Sequence, residues 1–242
     1  MKQWRKRHEE DYAKAIMAPP AKTTLLKAIP VPGVILIMGA KGRGKSALAH
    51  GIAERIHSTK DLSAVLHLPT APADIQKRIQ KLLPSWIKVV TNTNQWPKKC
   101  VVIYDEASQS AHSRRTQSGD AVELDNLMSI SRQRQQLIIF ISHHSRKLDP
   151  NVIRDVDRIA WKGPTYAHWI FERNEFTDFV LKAVDFFQAI PRESTALRTT
   201  LMMDFHAFTF QEFTNALPTY WSEALSHLFE DIKSIRKGDS YI

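Results

Sequence analysis

Gly39-Ala40-Lys41-Gly42-Arg43-Gly44-Lys45-Ser46 matches the pattern G-x-x-x-x-G-K-[ST] in full. Residues of these types at this spacing bind the phosphates of a nucleotide, provided a strand precedes them and a helix follows. Glycines let the backbone turn tightly and come close to the anion. Successive N–H groups and the start of the helix then face it. Lys45 supplies a point charge at the β/γ-phosphates, and the Ser46 hydroxyl is placed to ligate Mg2+. The nucleotide-binding set is Gly39, Ala40, Lys41, Gly42, Arg43, Gly44, Lys45, Ser46 and Ala47. ATP with Mg2+ is the expected ligand pair. A GTP-specific site is disfavoured because no N-K-x-D run occurs.

A second constellation follows an apolar run, Cys100-Val101-Val102-Ile103-Tyr104, which ends in Asp105-Glu106. Carboxylates at the tip of a buried strand are costly unless they have partners. A Mg2+ ion is the natural one. Asp105 is expected to hold it through water, and Glu106 to polarise the water that attacks the γ-phosphate. A glutamate in that place favours hydrolysis over transfer to a small acceptor. A third constellation runs from Ser131 to His144: two arginines, Arg132 and Arg134, precede the apolar run Leu137–Ile141, which ends in Ser142, His143 and His144. If that strand ends beside the acidic pair, Ser142 or His143 stands near the γ-phosphate.

These residues need a sheet to hold them. Val34–Met38 is a continuous apolar run between Gly33 and Gly39, as a central parallel strand requires. A helix is expected from Lys45 to about His57. Further strands are expected at Ala64–Leu68, Trp86–Val90, Val101–Tyr104, Leu137–Ser142 and Arg158–Trp161. Helices are expected at Ala73–Leu83 and Val122–Arg132, with a polar loop between residues 107 and 120. Strands alternating with helices imply an α/β fold with a mainly parallel sheet covered on both faces. Residues 1–30 read as a basic, proline-punctuated N-terminal arm, 31–163 as the core, and 164–242 as a mostly helical C-terminal extension packed on it. The aromatics of that extension read as core rather than as a base-stacking platform.

Composition narrows the class. The chain has 242 residues, 43% hydrophobic and 24% charged, as in an ordinary globular protein. Lys plus Arg is 34 and Asp plus Glu is 25, giving +9, so a polyanionic partner is expected. A single cysteine, Cys100, rules out an intramolecular disulfide and a thiolate-rich metal site. The apolar runs fall far short of the ~18 residues of a spanning helix, and no apolar signal core follows the basic start. A soluble, intracellular protein is the expectation.

Taken together, the phosphate loop, the Asp105-Glu106 strand and the Arg132-then-strand segment resemble the HerA–FtsK superfamily of DNA-pumping P-loop ATPases, over roughly residues 33–162. Within it they look most similar to the genome-packaging ATPases of membrane-containing viruses. The resemblance implies a RecA/FtsK-like P-loop NTPase fold. It also implies a homo-oligomeric ring, a hexamer or pentamer, with ATP at each interface and an arginine reaching the neighbouring subunit's γ-phosphate. Arg132 is the first candidate for that finger, Arg134 the second and Arg154 the third. The family has a glutamine where His143 stands; a neutral histidine can donate or accept as glutamine does. Double-stranded DNA is the implied partner, with Arg114 and Arg115 in the Ala107–Asp120 loop as candidate contacts to its backbone. A capsid vertex or a membrane protein is a further implied partner, and the host cytoplasm or the virion the implied location. A Zot-like phage assembly or secretion ATPase and a P-loop small-molecule kinase stand as alternatives.

Overall fold

An apolar run with no polar face must be buried on both sides. In the computed structural model, which describes residues 9–69, 71–105, 130–148 and 150–226, Val34–Met38 meets that requirement within β2 (Gly33–Gly39), all seven of whose residues are buried. The other strands are β1 (Ala21–Lys22), β3 (Ser63–His67), β4 (Ile87–Val90), β5 (Cys100–Asp105), β6 (Leu137–Ser142), β7 (Arg158–Lys162), β8 (Thr199–Asp204) and β9 (Thr209–Thr214). They form one nine-stranded sheet in the order β1-β9-β8-β7-β2-β6-β5-β3-β4. Among the described residues, only the β7–β8 and β8–β9 pairings are antiparallel.

Alternation along the strands splits the core in two. Ile35, Ile37, Val101, Ile103, Leu137 and Ile139 face one layer, packed by α3 (Lys45–Lys60) and α4 (Ala73–Leu82). Val34, Leu36, Val102, Ile138 and Phe140 face the other, covered by α7 (Thr177–Gln188) through Phe179, Val180, Ala183, Val184 and Phe187. The remaining helices are α1 (Glu9–Met17), α2 (Leu25–Ala28), α5 (Pro150–Arg154), α6 (Tyr166–Phe171), α8 (Glu193–Arg198) and α9 (Glu223–Ser226).

Among its described residues the segment after residue 163 is less than half helical, and it donates β8 and β9 to the sheet, which the sequence reading does not anticipate. Those strands carry β1 on their outer edge, so the expected N-terminal arm contributes Ala21 and Lys22 to the sheet. Residues 1–8, and with them the basic cluster of the arm, lie outside the described residues. Of the expected helix Val122–Arg132, residues 122–129 also lie outside; Ile130 is helical and Ser131–Gln135 form a turn, with Gln135 in the left-handed region at φ 55°. Among the described residues, no helix is long and apolar enough to cross a membrane.

Candidate nucleotide site

The site is made by strand ends. β6 lies between β2 and β5, with Met38 opposite Ser142 and Asp105 opposite Ile141. The loop after β2, the carboxylate of Asp105 and the residues after Ser142 therefore emerge side by side at the carboxyl edge of the sheet, where ligands of open α/β sheets bind. Gly39 closes β2 with φ 144°, and a Cβ there would stand 2.0 Å from the Lys162 carbonyl oxygen of β7. Only glycine fits. Gly44, at φ 75°, is the left-handed N-cap of α3. No acidic residue occupies the first turn of α3, so no side chain of that turn competes with an anion for the positive end of the helix.

Lys45 is buried, and its Nζ donates to the carbonyls of Gly39 at 2.9 Å and Ala40 at 2.8 Å. His143 Nδ1 lies 3.3 Å from the same Nζ. An ammonium has only donors, so Nδ1 accepts and the His143 proton resides on Nε2. Ser46 Oγ donates to Asp105 Oδ2 at 3.0 Å, and Asp105 is 2% exposed. Lys45, Ser46, Asp105 and His143, placed together from sequence, do converge. A hydroxyl and a carboxylate make a hard oxygen donor set of the kind Mg2+ takes alongside waters and phosphate oxygens. No group of three or more His, Cys, Asp or Glu is placed to hold a metal among the described residues. Glu106, Arg114, Arg115 and the Ala107–Asp120 loop lie outside the described residues.

Arg132 and Arg134 sit at the opposite edge. The carbonyl of Gln136 accepts from Gly33 N, where β2 begins. At about 3.3 Å per residue, the length of β2 separates that edge from Gly39 by roughly 20 Å. Neither arginine can serve the phosphate loop of its own chain. Arg132 Nη2 donates to Asp157 Oδ1, which also takes His206 Nε2 at 2.7 Å, while Asp157 Oδ2 accepts from Val34 N at 2.8 Å. Arg134 Nη2 donates to the Trp96 carbonyl. Arg154 lies in the last turn of α5.

The C-terminal segment also reaches the site, through residues that sequence reasoning misses. Glu193 of α8 pairs with Arg43 of the phosphate loop, and that guanidinium holds the Glu193 carboxyl below its usual range. Lys162 pairs in register with Gly39 and is fully buried; its Nζ donates to the carbonyls of Leu197 and Thr199, both at 2.7 Å, and to Asn215 Oδ1 at 2.9 Å. Burial lowers its pKa to about 7. Residues 215–226 strap the outside of α3: Thr219 N donates to Glu54, and His50 Nδ1 lies 3.0 Å from the Tyr220 hydroxyl. None of these contacts has a local signature, because each joins residues far apart in the chain.

A family model described as the ATPase family associated with various cellular activities (AAA) matches residues 35–163, just over half of the chain. No curated protein matches. Among solved structures, the chain is similar to the genome packaging NTPase B204 of Sulfolobus turreted icosahedral virus 2 in complex with AMPPCP. That likeness has a TM-score of 0.53 and 13% identity and covers 77% of this chain and 99% of the other. The DNA-packaging ATPase B204 of Sulfolobus turreted icosahedral virus aligns with a TM-score of 0.51 and 15% identity, over 77% of this chain and all of the other. The pCW3 conjugation coupling protein TcpA, with ATPgS, aligns with a TM-score of 0.50 and 11% identity over 85% of this chain and 65% of its own. At these identities the likeness is one of fold.

Proposed function

The chain belongs to the ATPase family associated with various cellular activities, and on that premise we propose that it is a motor that couples ATP hydrolysis to movement of double-stranded DNA, with packaging of a viral genome as its task. The observation that carries the reading is the convergence of Lys45, Ser46, Asp105 and His143 at one sheet edge. The fold likeness to B204, named as a genome-packaging ATPase, supports the choice of task.

In this reading the N–H groups from Gly39 to Ala47 cradle the phosphates, and Lys45 turns from the loop carbonyls to the β/γ-phosphates. Ser46 and Asp105 would hold Mg2+, whose charge would offset negative charge developing on the phosphates. Glu106 takes the proton of the attacking water. His143, hydrogen-bonded to Lys45, stands where the γ-phosphate arrives and reports its loss along β6. Arg132 acts on the neighbouring subunit's nucleotide in a ring of five or six copies, with Arg134 as the second candidate. The formal charge of +9 suits a polyanion track, and Arg114 and Arg115 contact its phosphates. A capsid vertex or membrane protein anchors the ring at the virion or in the host cytoplasm.

Displacement of a third strand bound to a linear duplex tests movement directly. ATP-dependent displacement that requires Lys45 supports the motor. Hydrolysis without displacement on any duplex length rejects it.

A further inference from the structure

We propose that Glu172, contributed by the C-terminal segment, is a positioning residue for His143: its buried carboxylate fixes the loop after β6 and so sets where the His143 ring stands against Lys45. The proposal rests on the role given to His143 above.

The loop leaves β6 at Ser142 and enters a single 3-10 turn at Ser145–Lys147. Ser142 is held by its pairing with Met38, and its Oγ donates to the His144 carbonyl at 2.8 Å, closing the backbone around His143. The His144 ring stacks on His168 of α6, with centroids 4.7 Å apart and planes 24° apart. Ser145, the next residue, is buried. Its N–H donates to Glu172 Oε2 at 3.1 Å and its hydroxyl donates to Oε1, which also accepts from Arg173 N at 2.9 Å. Arg146 Nη2 donates to the Glu172 carbonyl at 2.8 Å, and Arg173 Nη2 to the Leu148 carbonyl at 2.9 Å. His144, Ser145, Arg146 and Leu148 are thus each fastened to the stretch from His168 to Arg173.

Glu172 is 3% exposed and caps the carboxyl end of α6. Burial disfavours a charge, and that end of a helix disfavours an anion. Three donors offset these costs, and two of them belong to Ser145. The loop, rather than its own helix, therefore accounts for a carboxylate at this position. A carboxylate bonded to both the N–H and the hydroxyl of one residue fixes that residue in direction as well as in distance. His143 lies two residues before Ser145, with Nδ1 3.3 Å from Lys45 Nζ. Misplacement by about 1 Å near a reacting centre can cost about 10²-fold in rate. An anchor this close to the ring bears on turnover more than on affinity, which the phosphate loop supplies.

Steady-state ATP hydrolysis by full-length variants tests the assignment, with thermal melting to confirm folding. Glu172→Gln keeps the shape of the side chain. Whichever way its amide turns, an NH2 then faces the backbone N–H of Ser145 or of Arg173. Turnover is expected to fall about tenfold, the size of one hydrogen bond to a charged group, with KM within about twofold of the wild type. In a His143→Ala background the same substitution is expected to change turnover by less than about twofold, because Glu172 acts through that ring; a merely structural role gives additive losses. Wild-type turnover in a folded Glu172→Gln, or full additivity in the double variant, overturns the proposal. Where Glu172→Gln does not fold, Ser145→Ala, which deletes the hydroxyl bond alone, decides by the same criteria with an expected loss of about threefold. Wild-type turnover in His143→Ala removes the role given to His143, and this proposal with it. A Lys45→Ala protein as active as the wild type removes the nucleotide-site reading itself.

Discussion

The Ser46 hydroxyl donates to Asp105 Oδ2 across 3.0 Å, joining the first turn of α3 to the tip of β5. Two oxygen donors from segments 59 residues apart are thereby held at one point beside the Lys45 ammonium. Ser46→Ala deletes one donor and leaves Asp105 in place. Its affinity for the Mg2+–ATP pair is expected to fall by about 10–100-fold, the range for losing a partner at a metal site, with the metal-free nucleotide bound almost as before. Titrations with and without Mg2+ measure the difference.

Arg132 and the phosphate loop lie at opposite edges of the sheet, so the finger role proposed for Arg132 requires the nucleotide of a neighbouring subunit. Arg132→Ala is expected to bind ATP normally and to hydrolyse it about 10³–10⁵-fold more slowly. Mixed with Lys45→Ala subunits, it should recover activity, because some interfaces then pair an intact Lys45 with an intact Arg132. Mixtures as inactive as either parent rule the trans role out. His206→Ala, which strips one neighbour from the Asp157 carboxylate that holds Arg132, should lower the turnover number while leaving ATP affinity unchanged.

Two buried histidines set a pH dependence of stability. Burial lowers the pKa of His50 and of His67 from 6.5 to about 4. His50 meets the Tyr220 hydroxyl under the C-terminal strap, and His67 lies 3.1 Å from Trp96 Nε1 and stacks on Tyr104. A depressed folded-state pKa means that the unfolded chain takes up protons first. The stability contributed by these rings is therefore complete above pH 6.5 and lost as the pH falls through about 4. The melting temperature should drop over that window, and less steeply in a His50→Gln, His67→Gln double variant.

Lys162 works in a different window. Its pKa falls from 10.5 to about 7 on burial, so folding releases protons between those values and stability rises with pH from about 7 to 10.5. Lys162→Met should flatten that slope. It should also destabilise the fold by about 1–3 kcal/mol, since the Leu197 and Thr199 carbonyls and Asn215 lose a buried donor. Denaturant melts at three pH values check both effects.

The parallel centre of the sheet is legible in the sequence because β2, β5 and β6 are apolar on both faces, and only a strand covered twice reads that way. The phosphate loop and Asp105 follow from it, since a strand end is where such residues emerge. β8 and β9 are not legible. In β9 the buried residues are Phe210 and Phe213, three apart, which is helical spacing, with Gln211 and Glu212 between them. Leu201, Met202 and Met203 form an apolar stretch too short to tell strand from helix by period. Lys162 and Glu193 meet the loop only because distant elements fold back beside it, so no local pattern marks them.

The most direct test of the motor reading is the rate of ATP hydrolysis by the purified protein, with and without long double-stranded DNA, against a Lys45→Ala control. The account predicts turnover that DNA stimulates and that the substitution abolishes. Turnover indifferent to DNA, or appearing only with a small-molecule phosphate acceptor, would contradict it.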